Sequence, residues 1–397
     1  MQAVSITSLC DQSLDYTGML PADKSNFWIE FLPKSKFKCR SRMISPVSDM
    51  KEFLPETQSK CFLRGNMEEN IDPDLFKKLP IPYYYDLEHR VDPVGLAGLS
   101  KVKLLTPHGF LFDSNSRLIG ESWHNAQMVK TPLREVQTIL SHGLLNSEPT
   151  FRIKEPAALL MGPWSWVYYH WIFENLTRLW VLDAFPELAD ILLVVPAHLT
   201  RFQKDSLNAL GINDNRLLFF DGSNWQFDCL YIPSFLGSAD HSLRQIDWLR
   251  TKLMGAFNVQ PRDRGNRRLY ISRTDTATRK IINEKAIISM LQYYDFEVIT
   301  PGKLPLVDQV KLFNDAEIIC GSSGSGITNH IFAPRHATLV EMHPNSYVNL
   351  VHWFSSNILG QNYGFIIGQA ETIRHDYKIS ISKLQETVDV ALVLAKS

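Results

Sequence analysis

From about residue 155 onward, short apolar runs alternate with amphipathic stretches of helical length, and this alternation limits the fold more than any other feature. The runs at 157–161 and 191–195 read as strands. Residues 168–185 read as a helix ending before Pro186, and 199–210 as a helix closed by Gly211, a residue free to take the left-handed stop. Strands are expected at 217–220 and 230–232, then a helix over 243–257. Strands separated by helices of this length build βαβ units around a parallel sheet. Residues 260–268, rich in Arg and broken by Pro261 and Gly265, read as an interdomain linker. The alternation then restarts with a strand at 269–272, a helix capped by Asn283 through 294, and a strand at 296–299. A helix at 306–314, a strand at 317–320, a Gly/Ser loop with another helix, and a strand at 338–342 follow. A last helix carries a capping box of Ser382 and Gln385 and one stripe of Leu384, Val388, Ala391, Leu392 and Ala395. The expected class is α/β, with two Rossmann-like domains facing a cleft. The first domain would cover 1–259 and the second 260–381, with the final helix, 382–397, packing back across them.

Charge excludes one large class of partner. Lys plus Arg number 41 and Asp plus Glu 42, whereas a protein living on bulk nucleic acid carries a basic excess. With 45% hydrophobic and 21% charged residues, the chain has enough apolar side chains for sizeable cores. The five cysteines (10, 39, 61, 229, 320) are scattered, with no C-x-x-C, so a reducing, cytoplasmic setting is expected. Residues 1–20 lack a basic region and an apolar core, so no signal peptide is read there. The 18 residues 156–173 carry no formal charge, yet Pro156, Gly162, Pro163 and His170 make them a strand, a turn and a helix start, so a soluble protein is expected. Residues 35–43 alternate Lys36, Lys38, Arg40 and Arg42 against Phe37, Cys39 and Met43. That is a strand with a basic face, either a protected edge or a contact for an anionic lipid or polymer at the membrane periphery.

The second half resembles glycosyltransferase family 61, over roughly residues 155–345. The landmarks are Ile271-Ser272-Arg273, Arg279, Asn283-Glu284, the 296–301 strand, Gln309, the Gly-rich stretch 321–329 ending in Thr328-Asn329, Glu341, and upstream His170-Trp171 with Glu174. One departure stands out: Ser323-Gly324 occupies the place where members commonly carry His-Gly, so no charged role transfers to Ser323. The resemblance implies the GT-B plan and an inverting, metal-independent transfer of a sugar from a nucleotide donor, UDP-linked, to an acceptor hydroxyl. The implied setting is polysaccharide, capsule or glycan assembly, with the acceptor free or lipid-linked and no cofactor. Two other readings compete: a non-catalytic subunit binding nucleotide sugars or glycans, and a GT-B-fold UDP-sugar epimerase.

Within that frame each residue has a chemistry and a plainer alternative. Ser323, Gly324, Ser325 and Gly326, between a strand and a helix containing Thr328 and Asn329, would cradle a diphosphate against free N–H groups, or would form an ordinary tight turn. Arg273 and Arg279, with Ser272, would neutralise the leaving diphosphate, or would be solvated loop charges. Glu341 would accept the ribose hydroxyls or act as a structural carboxylate. His170, Glu174 and Arg178 fall at i, i+4 and i+8. Either His170 or Glu174 would take the acceptor proton, the other reading being packing and a helix ion pair. Trp164, Trp166 and Trp171 would stack on sugars or fill a core. Asp72-Pro73-Asp74 imitates the metal-binding D-x-D, but Asp followed by Pro reads as a helix cap, which leaves no metal site.

Overall fold

The computed structural model describes residues 94–119, 141–234, 242–349 and 351–396, together with 3–4, 9, 12–14, 26–32, 35–38, 88–91, 122 and 138–139. Asp72 and Asp74 lie outside the described residues. Of the basic stretch 35–43, Ser35–Lys38 is a strand and the remainder lies outside them. Among the described residues no helix is long and apolar enough to cross a membrane.

Residues 90–249, with the strands of the first 35 residues, form one compact unit, and residues from 250 to the C-terminus belong to a second. The first unit holds β1 (Val94–Leu105), β2 (Ala157–Leu159), β3 (Leu192–Pro196), β4 (Leu217–Phe220) and β5 (Trp225–Pro233). They run β1-β5-β2-β3-β4 to one end of a sheet that has eleven strands among the described residues. β2, β3 and β4 are parallel, in register Ala157↔Leu192 and Leu193↔Leu217, while β5 is parallel to β2 and antiparallel to β1. β2 is buried along its whole length, as a continuous apolar run in a covered sheet must be.

The helix expected over 168–185 is broken into pieces. α1 (Tyr168–His170) passes directly into a π-helical turn, Trp171–Asn175, and α2 (Arg178–Leu182) follows. α3 (Arg201–Ala209) falls inside its expected span, with Thr200 N donating to Gln203 Oε1 at 2.7 Å and Gly211 left-handed at φ 74°. α4 (Leu243–Ala256) closes the series. The division between the units falls within α4.

The second unit is the regular one. β6 (Arg267–Ile271), β7 (Phe296–Ile299), β8 (Ala316–Ser322), β9 (Thr338–Pro344) and β10 (Asn362–Ala370) form a parallel sheet in the order β7-β6-β8-β9-β10. Its helices are α5 (Glu284–Tyr293), α6 (Leu306–Asn314), α7 (Val351–Leu359) and α8 (Ile381–Lys396). The core gathers Tyr270, Ile287, Ile318, Val340 and Ile366 with Leu384, Val388 and Ala391 of α8. The terminal stripe, expected to pack back across the first half, is therefore buried within its own unit.

Three local readings change. Residues 260–268 are fastened rather than free: Asn314 Nδ2 donates to Gln260 O at 2.8 Å, and Asn266 N and Arg267 N both donate to Asp315 O at 2.9 Å. Asn283 does not cap α5. Its side chain exchanges hydrogen bonds with Ile379, Nδ2 to O at 2.8 Å and N to Oδ1 at 3.1 Å. Ser380, not Ser382, precedes α8 and accepts from Lys383 N at 3.4 Å.

Candidate functional site

Parallel pairing brings the exits of β6 and β8 to one edge of the second unit's sheet, because Ile271 is in register with Gly321, and Ser322 with Met342 of β9. Ligands bind at such carboxyl edges in open α/β sheets. Arg273 leaves β6 there, and its guanidinium occupies the space a side chain at Gly324 would need: a Cβ built on Gly324 would stand 1.6 Å from Nη1. A Cβ at Gly321 would stand 2.9 Å from Cβ of Ile271. Both glycines thus serve the approach of the neighbouring strand end. Ser323 N donates to Met342 O at 2.8 Å, and Ser325 opens a 3₁₀ stretch, Ser325–Phe332, where a helix was expected. Gly326 packs on Ile271 and Pro301.

Two guanidinium groups meet at this edge. Arg273 donates from Nη2 to Thr278 O at 3.3 Å, and its Nε is buried without a partner. Burial, then the like charge of Arg279, pushes its pKa down to about 10. Arg279 adopts φ 57° and lies 4.9 Å over the Tyr347 ring, while its carbonyl accepts from the Ser322 hydroxyl at 3.0 Å. Neither guanidinium is ion-paired with a described residue. Asp275 acts on Arg273 only electrostatically, and its Oδ2 would lie 2.6 Å from a Cβ on Gly302. Two adjacent guanidinium groups without a carboxylate partner form a site for a multiply charged oxyanion.

Four of the residues expected at the donor make internal contacts. Ser272 donates to Glu284 Oε1 at 2.7 Å, an oxygen shared with the Tyr270 hydroxyl at 3.0 Å. Asn329, fully buried, donates from Nδ2 to Gln309 Oε1 at 2.7 Å. Thr328 Oγ1 lies 3.3 Å from His352 Nε2. Glu341 is fully buried with both oxygens engaged, by His352 Nδ1 at 2.8 Å and by the Tyr363 hydroxyl at 2.8 Å, with His343 Nε2 at 3.6 Å. Burial pushes the Glu341 carboxyl up, yet His352 and then His343 outweigh it and hold the carboxyl at about 2. Burial pushes His343 down to about 4 and His330 to about 3. His330 is gripped by Gln361 Oε1 and Ser355 Oγ, each at 2.7 Å. Sequence reasoning missed His343, His352 and Tyr363. Their pairing with Glu341 depends on the register of β9 with β10 and on α7, which no local pattern announces.

His170 and Glu174 do meet in the first unit. Nδ1 lies 2.9 Å from Glu174 Oε2, an ion-pair distance without hydrogen-bond alignment, and the side chains are 20% and 7% exposed. The π turn shifts the facing set, so Arg178 leaves their surface and is buried. It donates to Met161 O at 2.7 Å and to Glu174 O at 3.1 Å. Burial pushes it down to about 9, against the pull of Glu174. Asn175 Nδ2 donates to His170 O at 2.8 Å, and the Trp164 ring lies 5.3 Å from the imidazole. With Nδ1 turned to a carboxylate, Nε2 is the atom left to take a proton. Among the described residues no three His, Cys, Asp or Glu gather as a metal site.

Residues 168–340 match the family model described as Glycosyltransferase 61. Over 88 residues the chain is 30% identical to the EGF domain-specific O-linked N-acetylglucosamine transferase of Drosophila melanogaster, spanning 20% of this chain and 17% of that protein. Over 70 residues it is 36% identical to alpha-1,3-arabinosyltransferase XAT3 of Oryza sativa subsp. japonica, spanning 17% and 12%. The aligned stretches cover less than a fifth of either relative's length.

Proposed function

We propose that this chain, which carries a glycosyltransferase 61 domain over residues 168–340, is an inverting, metal-independent glycosyltransferase on the GT-B plan, with one unit for each substrate. The donor is a nucleotide sugar, UDP-linked, and the acceptor a glycan hydroxyl. The observation that carries this reading is the unpaired cation pair Arg273 and Arg279 at the carboxyl edge of the second sheet, set against Gly324. Its chemistry is that of holding a diphosphate.

The acceptor oxygen attacks the anomeric carbon from the face opposite the diphosphate. A carbon–oxygen bond to the acceptor forms as the bond to the diphosphate breaks. The acceptor proton passes to Nε2 of His170, which Glu174 orients through Nδ1. Charge developing on the leaving diphosphate meets Arg273, Arg279 and the backbone of 324–325, which are already in place before reaction. Glu341, Asn329 and Thr328 support this edge from beneath.

Ser323, uncharged at the place where the family it resembles commonly carries His, favours one second reading: a subunit that binds nucleotide sugar without turning it over. Free UDP decides between them. A transferase releases UDP in proportion to added acceptor, beyond slow hydrolysis. No release across a panel of nucleotide sugars and glycan acceptors would leave the binding subunit, and conversion of the sugar without acceptor would indicate an epimerase.

A further inference from the structure

After β2 the chain makes two tight turns, with Ser165 N donating to Gly162 O at 3.2 Å and Val167 N donating to Trp164 O at 2.8 Å. They separate three tryptophans into different roles. Trp171 is fully buried, its Nε1 donating to Ser206 Oγ at 2.9 Å. Trp166 is 45% exposed. Its neighbour Ser165 is held on both sides, its hydroxyl accepting from Gly162 N at 2.9 Å and its carbonyl accepting from Gln203 Nε2 of α3 at 2.9 Å. The exposed indole therefore projects from a fixed support.

A second segment completes the surface. His108 meets Trp166 edge-on, with ring centroids 5.3 Å apart, and stacks on Phe110 at 6.1 Å. Gly109, at φ 75°, lets this turn close on the first: a Cβ there would stand 3.3 Å from Met161 Cε. Trp164 is left-handed at φ 57°. Such a backbone is rare for a bulky aromatic residue and persists where the surroundings enforce it, often at ligand sites. Its ring faces His170. Two indoles, each beside an imidazole, thus flank the start of the helix that carries the candidate base.

The chemistry selects the ligand. Residues 156–169 carry no formal charge, so an anionic or cationic ligand gains nothing from them. A sugar ring has a face of C–H groups and a rim of hydroxyls. It fits an indole face for the first and uncharged polar surroundings for the second. We infer that Trp166, with His108 and Trp164, is a sugar-stacking subsite for the acceptor, and that the acceptor is a neutral glycan rather than a hydroxyl side chain of a protein. The word acceptor rests on the proposed transferase activity; the binding of a neutral sugar at this site does not.

The test uses the full chain without donor, titrated with xylohexaose, cellohexaose and mannohexaose and followed by tryptophan fluorescence and ligand-observed NMR. At least one hexaose should bind the parent. Trp166→Ala should weaken it on the order of tenfold, the factor an aromatic contact supplies, while Trp166→Phe should keep most of the affinity. The thermal midpoint of Trp166→Ala should hold, because the side chain is exposed. Should that variant fail to fold, Trp166→Gln, which keeps a long side chain at the exposed position and removes the aromatic face, should weaken the same hexaose. Equal binding by parent and variant overturns the assignment, as does no hexaose binding at millimolar concentration. A Ser/Thr-rich peptide binding in a Trp166-dependent way would overturn the ligand class. A parallel titration with UDP-sugars separates this result from the proposed function, since loss of nucleotide binding would refute that reading and leave the hexaose result standing.

Discussion

Arg273 lies within range of the charge of Arg279, and among the described residues neither has a carboxylate partner. A fold gains nothing from such a pair on its own, because like charges repel and Arg273 Nε is left buried and unbonded. A bound diphosphate reverses both costs. Arg273→Ala is therefore expected to weaken UDP about tenfold to a hundredfold, the effect of one charge-assisted contact, and to leave the thermal midpoint of the free chain unchanged or raised. Calorimetric titration with UDP checks it; unchanged affinity would remove the arginine from the site. At the other candidate residue, His170→Ala should lower kcat by a factor on the order of 10²–10⁴ and leave UDP affinity intact. Glu174→Gln should lower kcat less, since it removes an orienting charge and keeps Nε2. A larger loss with Glu174→Gln than with His170→Ala would move the base to Glu174.

Elements decide how those side chains are presented, and here the loop 321–326 is the sensitive one. Gly324→Ala places a methyl group in the volume of the Arg273 guanidinium. UDP affinity should fall as far as in Arg273→Ala, with the fold retained; an alanine variant that binds UDP normally would show that the guanidinium need not lie there. Under the loop, Gln309 of α6 and Asn329 of the 3₁₀ stretch are joined by one buried hydrogen bond. A double-mutant cycle to alanine should give a coupling of about 1 kcal/mol in urea unfolding, and a coupling near zero would make the two landmarks independent. Much of this half was legible in the sequence. β6 to β9, α5 and α6 fall within a few residues of their expected places, because covered parallel strands are unbroken apolar runs and the intervening helices are amphipathic. α7 was not legible: all nine residues of Val351–Leu359 are buried, the polar His352, Ser355, Ser356 and Asn357 among them, so no exposed face marks the helix.

 The π turn at 171–175 was equally hidden, since an i, i+4 reading assumes a uniform helix and therefore placed Arg178 beside Glu174 on a shared surface. Thr328, Asn329 and Glu341 were found as landmarks, but their internal hydrogen bonds were not, because chain order does not show which side chains meet.

At the scale of the molecule, the second unit is built around ionisable groups that water does not reach. His330 and His343 are both fully buried, and burial holds them at about 3 and about 4, against 6.5 in an unfolded chain. Both are therefore neutral in the folded protein near pH 7. As pH falls below 6.5, the unfolded chain takes up protons that the folded one refuses, and stability is lost down to the folded values. Glu341, held at about 2, adds to the loss below 4.5, because its ionised form is the one that His352 and Tyr363 bind. All three groups act in the same direction, so nothing among them offsets the fall. Between pH 7.5 and pH 5 each histidine should contribute about 2 kcal/mol of destabilisation. Urea unfolding at pH 7.5 and pH 5, read by hydrogen exchange of amides in β9 and α7, should show a midpoint that drops steeply on acidification. His330→Gln should flatten the profile by one histidine's share, whatever it costs at pH 7.5, since glutamine keeps polar contacts with Gln361 and Ser355 and has no proton to gain. An unchanged midpoint at pH 5 would mean that acid reaches these imidazoles in the folded state, and that the core around Glu341 opens to water far more readily than its packing implies.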